Sequence, residues 1–73
     1  MSSDAILIVC GGLLQVPAVE IAHGLGLKVV MTDANPRAAA MALADEPVTL
    51  DIYDVEGHKK LVDDLKRRYH LRG

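Results

Sequence analysis

The sequence predicts an α/β domain of three layers, a short parallel sheet with helices on both faces, in the order β-α-β-α-β-α. Three observations predict it. Ala5 to Cys10 and Lys28 to Thr32 are apolar runs of strand length, each closed by turn residues. Between them the apolar spacing becomes helical, with Ala18, Ile21, Ala22 and Leu25 at i, i+3, i+4 and i+7. From Val48 to Tyr53 the pattern alternates strictly, then returns to helical spacing at Leu61, Val62, Leu65 and Tyr69.

The elements follow in order. Ala5-Ile6-Leu7-Ile8-Val9-Cys10, ended by Gly11-Gly12, reads as a strand buried on both faces. Pro17 fits only the first turn of a helix, which places the start near Val16 or a few residues earlier, and Gly24 with Gly26 stops it. The second strand closes at Asp33-Ala34-Asn35-Pro36, a turn signal. Arg37 to Ala44 is alanine-rich and reads as a short helix on propensity alone. The third strand, Val48 to Tyr53, is expected to bury Val48, Leu50 and Ile52 near a sheet edge. Asp54 is placed to cap a last helix that runs toward Gly73.

Composition narrows the function classes. The chain has 73 residues, 51% of them hydrophobic, and a formal charge of −2, which describes one small domain over residues 1–73. A core this small leaves marginal stability. Two tyrosines are the only aromatic residues, and with so balanced a charge they speak against a nucleic-acid partner. Residues 1–57 carry two basic against eight acidic side chains (−6), and residues 58–73 six against two (+4). That basic end suits the negative pole of a final helix, a plainer account than a nucleic-acid or membrane patch. No apolar stretch is long enough to span a bilayer. A single Cys and the lack of a secretory-looking leader predict a reduced, cytoplasmic chain.

A first strand of interior composition needs neighbours on both sides. With strand order 3-2-1, as in the first half of a Rossmann fold, it would be an open apolar edge, which natural proteins avoid. The expectation is a fragment of a larger sheet, or a homodimer through strand one. Order 2-1-3 would remove that expectation.

Candidate chemistry sits in the loops. Gly11 and Gly12, between a buried strand and a helix, allow a tight turn and let an anion approach backbone N–H groups. The same glycines also suit a plain strand-to-helix turn. The dinucleotide pattern G-x-G-x-x-G is absent, because the run reads Cys10-Gly11-Gly12-Leu13-Leu14-Gln15, and there is no Walker lysine. Asp33, at the end of strand two, stands where a carboxylate accepts from a ligand hydroxyl, or where it caps the turn into Asn35-Pro36. His23, His58, His70 and Cys10 share no metal-binding spacing, and Cys10 has no evident base beside it.

Gly11 to Ala18, Thr32-Asp33-Ala34-Asn35-Pro36, Leu43-Ala44-Asp45 and Asp51-Ile52-Tyr53-Asp54 together resemble the N-terminal domain of ATP-grasp ligases, of the kind found in the carbamoyl-phosphate synthase large chain, biotin carboxylase and phosphoribosylamine–glycine ligase. The resemblance covers residues 5–69. Members usually open the glycine loop with three glycines, where Cys10 replaces the first, and the frequent Ala-Pro-Gly after the Asn-Pro turn reads Ala38-Ala39-Ala40. The resemblance implies a Rossmann-like, pre-ATP-grasp domain that is not catalytic alone. It assigns substrate or anion contacts to Gly11, Gly12, Leu13, Gln15, Asp33 and Asn35, with no catalytic residue and no metal ligand here. ATP and magnesium belong to later domains of the parent enzyme, which are then the main partners of this chain, along with a small carboxylate or phosphate. The alternatives are a stand-alone nucleotide-binding or regulatory module, or a dimerising structural module.

Overall fold

A computed structural model describes residues 3–73. Four parallel strands form one sheet in the order β3-β2-β1-β4: β1 is Asp4–Val9, β2 Lys28–Asp33, β3 Glu46–Thr49 and β4 His70–Leu71. Helix α1 (Val16–Gly24) crosses from β1 to β2, and α2 (Val55–Arg68) from β3 to β4. The three-layer expectation holds. Alternate residues of each strand point to opposite faces. Val29 and Met31 meet α1 residues Val19 and Ala22, with Ala40 and Met41, in one buried cluster. On the opposite face the buried Thr32 meets His58 of α2, whose fully buried residue is Leu65.

Four expectations need correction. The sheet gains a fourth strand from residues read as the run-out of the last helix. α2 stops at Arg68, and the chain then pairs with β1 through His70 N–H to the Ser3 carbonyl (2.9 Å), Arg72 N–H to Ala5 (2.7 Å) and Leu7 N–H to Gly73 (2.8 Å). Strand order 3-2-1 is thus extended to 3-2-1-4, and the first half of β1 is not an edge.

The third strand starts two residues and ends four residues earlier than its alternation suggests. Its last link to β2 is Leu50 N–H to the Asp33 carbonyl (3.0 Å), after which Asp51 Oδ1 takes the Tyr53 N–H (2.8 Å) and turns the chain away. Ile52 is left 41% exposed rather than buried. Pro47 can sit inside β3 because that strand is an edge, as expected from the sequence.

The alanine-rich segment is a five-residue 3-10 turn, Ala39–Leu43, preceded by Ala38 in an extended conformation (φ −56°, ψ 141°). Five residues are too few to offset the nucleation cost of an α-helix. On α1 the inward face is Val19 and Ala22, while Ile21 and Leu25 are 65% and 72% exposed. The helix is rotated so that its smaller residues sit against β2, and its largest side chains project sideways.

Side chains fasten the layers at three places. Asp54 caps α2 as the sequence predicts, accepting from Gly57 N–H (2.8 Å). Asp45 Oδ2 accepts from Val29 N–H (2.7 Å) and meets His23 Nε2 (2.8 Å), which ties the start of β2 to the end of α1. The Val29 amide is the main reason the Asp45 carboxyl is held below its ordinary range. Arg68 grips Glu46 with both terminal nitrogens (2.9 and 2.6 Å), and Tyr69 O–H donates to the same carboxylate (3.0 Å). Lys66, Arg67 and Arg68 occupy the last turn of α2, where cations suit the helix dipole.

Because Leu65 is wholly buried on the α2 face, Leu65→Ala is expected to cost about 3 kcal/mol. Tyr53→Ala, at an 83% exposed position, should cost less than about 0.5 kcal/mol. Urea melts of the two variants check the contrast.

Candidate functional site

In a parallel sheet the carboxyl ends of the strands, where neighbouring crossovers part to opposite faces, form the natural ligand crevice. Here the crossover after β1 leads to β2 on one side and the chain later returns to β4 on the other, so the crevice lies beside the end of β1. The loops that meet there are Cys10 to Gln15, Asp33 to Pro36 and Leu50 to Asp54.

The structure brings Gly11, Asp33 and Asn35 into one hydrogen-bonded unit. Asp33 Oδ2 accepts from Gly11 N–H and Oδ1 from Asn35 N–H, both at 2.8 Å. Asn35 Oδ1 in turn accepts from Arg37 N–H (2.9 Å). The two amide bonds, that from Asn35 the larger and that from Gly11 next, hold the Asp33 carboxyl below its ordinary range, with a smaller contribution from the Cys10 thiol against the opposing effect of burial. Asp33 is therefore ionised and serves as the brace between the ends of β1 and β2. Its two oxygens keep further lone pairs that can take a ligand hydroxyl or amine.

The glycine turn divides into two parts. Gly11 is buried, and a Cβ there would come within 2.8 Å of Met31 Sδ and 2.9 Å of Met41 Cγ. Its carbonyl accepts from Ala40 N–H (2.8 Å). Glycine at this position is explained by close packing, and its amide is already used by Asp33. Gly12 has open space around its Cα and lies in extended conformation (φ −65°, ψ 172°). Among the described residues no protein acceptor meets the N–H of Gly12, Leu13 or Leu14. These amides open the 3-10 turn Leu13–Gln15 that leads into α1, where the local dipole favours an anion. Gln15 is half-buried in the same turn, and its N–H returns to the Gly12 carbonyl (2.9 Å).

Two features of this edge were not read from the sequence. Cys10, not a glycine, holds the left-handed backbone (φ 81°) that lets β1 turn into the loop. The second feature is His58. Its Nδ1 lies 2.8 Å from the Asp54 carbonyl, which can only accept, so Nδ1 donates there, and Nε2 lies 2.8 Å from the Thr32 hydroxyl. The ring joins the first turn of α2 to the end of β2. It stands beside an open apolar groove of about 500 Å³ walled by Leu7, Val9, Ile52 and Val55. A Thr inside the run Val29-Val30-Met31-Thr32, and a His four residues after a helix cap, were the available signals.

No group of three or more His, Cys, Asp or Glu side chains capable of holding a metal occurs among the described residues. No helix among them is long and apolar enough to cross a membrane.

Cys10→Gly is expected to stabilise the fold by about 1 kcal/mol, because glycine adopts positive φ without the steric penalty of a Cβ. Cys10→Ala should bring no such gain, and denaturant melts of both variants separate conformational relief from loss of the thiol. The depressed Asp33 carboxyl stabilises the folded chain at pH values above its ordinary value of 3.8, and that contribution disappears as pH falls through the lower folded value. Asp33→Asn should therefore lower the melting temperature at pH 7, with the gap to the parent chain closing in acid. A gap that stays constant from pH 7 into the acid range contradicts the brace.

A scan against models of known protein families and a search of curated proteins find no match to this chain.

Proposed function

We propose that the chain is the substrate-side, N-terminal wall of an ATP-grasp carboxylate–amine ligase of the carbamoyl-phosphate synthase kind, and is not catalytic alone. The observation that carries this reading is the pairing, at one crevice, of unpartnered amides at Gly12 to Leu14 with the braced carboxylate of Asp33. Amides at the head of a helical turn attract an anion, whereas Asp33 repels one and attracts a hydroxyl or an amine. A ligand that satisfies both carries a carboxylate or phosphate next to a hydrogen-bond donor. That is the chemistry of a ligase acceptor.

The neighbouring surface supports the larger-protein part of the reading. β4 covers only the first half of β1, so Leu7 and Val9 face an uncovered groove that further sheet and helix of a parent chain would fill. Within this proposal, ATP and magnesium bind to the other domains, which supply the acyl-phosphate chemistry, and the compartment is the cytoplasm. The residues of this chain orient the acceptor and contribute no proton-transfer group.

The test is an amide-shift titration of the isolated 73-residue chain with inorganic phosphate, glycine, AMP and NAD. Phosphate and glycine at millimolar concentration are expected to move the Gly12, Leu13 and Leu14 amides, and Asp33→Asn should weaken the response to glycine more than that to phosphate. Unmoved amides reject the site. Saturable binding of AMP or NAD at micromolar levels would instead favour a stand-alone nucleotide module seated in the apolar groove.

A further inference from the structure

The strands of the sheet are not equally secured. β4 and the two residues after it lie on β1 through three backbone hydrogen bonds, His70 N–H to the Ser3 carbonyl, Arg72 N–H to Ala5 and Leu7 N–H to Gly73. None of residues 70–73 is buried: His70, Arg72 and Gly73 are exposed and Leu71 is half-buried. Beyond the backbone, one carboxylate holds them. Asp4 meets His70 Nδ1 (3.0 Å) with one oxygen and the Arg72 guanidinium (3.6 Å) with the other. These side chains are 43 to 65% exposed, so water and salt screen the contacts and each contributes little.

The residues just before β4 are fastened far more firmly. Leu65 is wholly buried, and its carbonyl accepts from Tyr69 N–H (2.8 Å). The Arg68 guanidinium and the Tyr69 hydroxyl both hold Glu46 at the start of β3. Apolar burial and bidentate pairing thus end at Tyr69, and the exposed attachment begins at His70. Tyr69 has extended backbone (φ −134°, ψ 161°), so rotation there swings residues 70–73 and leaves the helix in place. A segment with no buried side chain, joined to a firmly packed one, is the pattern of a unit that opens locally.

We propose that β4 is a strap that opens as a unit about Tyr69 while the rest of the fold stays intact, with Asp4 as its clasp. The three backbone bonds and the two Asp4 contacts involve the same four residues, so they part together. Opening frees the edge of β1 beside the buried Ala5 and lengthens the uncovered stretch that begins past Leu7. It also removes Arg72 from the rim of the hollow lined by Ile6 and Leu27. The first strand therefore alternates between a paired and a free edge along its amino-terminal half. None of these residues belongs to the crevice at the carboxyl end of β1, and the strap is independent of the proposed function.

Native-state hydrogen exchange of the 73-residue chain tests the strap. Neighbouring amides of β1 report on different partners, because alternate residues of a strand bond to opposite neighbours. Leu7 N–H meets Gly73, whereas Ile8 N–H faces β2, as Cys10 N–H does in its bond to the Thr32 carbonyl (2.7 Å). Once intrinsic rates are divided out, Leu7, His70 and Arg72 are expected to exchange alike and about a hundredfold faster than Ile8 and Tyr69. Asp4→Asn should speed the first three by about threefold and leave Ile8 and Tyr69 unchanged. Leu7 protected as well as Ile8 overturns the proposal, as does a Tyr69 amide that opens together with the strap. A variant whose exchange rises equally at Ile8 and Leu7 reports global loosening and overturns it too, and an unchanged pattern rejects Asp4 as the clasp.

Discussion

One carboxylate holds the working end of this molecule together. Asp33 accepts an amide from the loop after β1 and another from its own loop after β2, so two adjacent strand ends share a single ionised group. Each bond is charge-assisted and stronger than a bond between neutral groups. The arrangement also determines what the loop can offer. With the Gly11 amide committed inward, the free donors begin at Gly12, and they stand beside a fixed negative charge. The free amides and the fixed carboxylate thus place attraction and repulsion for an anion side by side.

A second aspartate plays the same part at the opposite end of β2. Asp45 receives the Val29 amide and holds His23 at the end of α1. Between these two braces β2 is the most deeply buried strand, with Val29, Val30, Met31 and Thr32 all at zero exposure. Covering loops at both ends and layers on both faces make β2 the centre of the fold. β1 is the more open strand: Val9 is 43% exposed, because β4 pairs only with Asp4 and Ala5. The polar crevice and the apolar groove both lie where coverage of β1 gives out.

How much of this was legible in the sequence depended on the range of the forces involved. Apolar runs and helical spacing report burial directly, so β1, β2 and both helices stood out. The Asp54 cap was equally plain, since it is a bond to a residue three positions away. Asp33 was read at the end of strand two, where the structure has it, but its partner Gly11 lies 22 residues off, and no local pattern announces such a bond. The same distance hid the reason for glycine at position 11, which is set by Met31 and Met41 packing against it. β4 was missed because Tyr69 continues the helical spacing. Its strand character comes only from the polar edge of β1 waiting beside it. Alternation misplaced β3 because it cannot register that Asp51 ties off its own backbone.

The two faces of the sheet now separate the properties of the chain. On the α2 face the edge of β1 and the first turn of α2 border a groove with His58 fixed at its margin, next to the loops that carry free amides. On the α1 face the surplus is purely apolar and runs along the helix flank, away from any polar donor set. A helix with a buried face and a second apolar flank has more hydrophobic surface than one core requires, and such a pattern normally marks a helix covered on two sides.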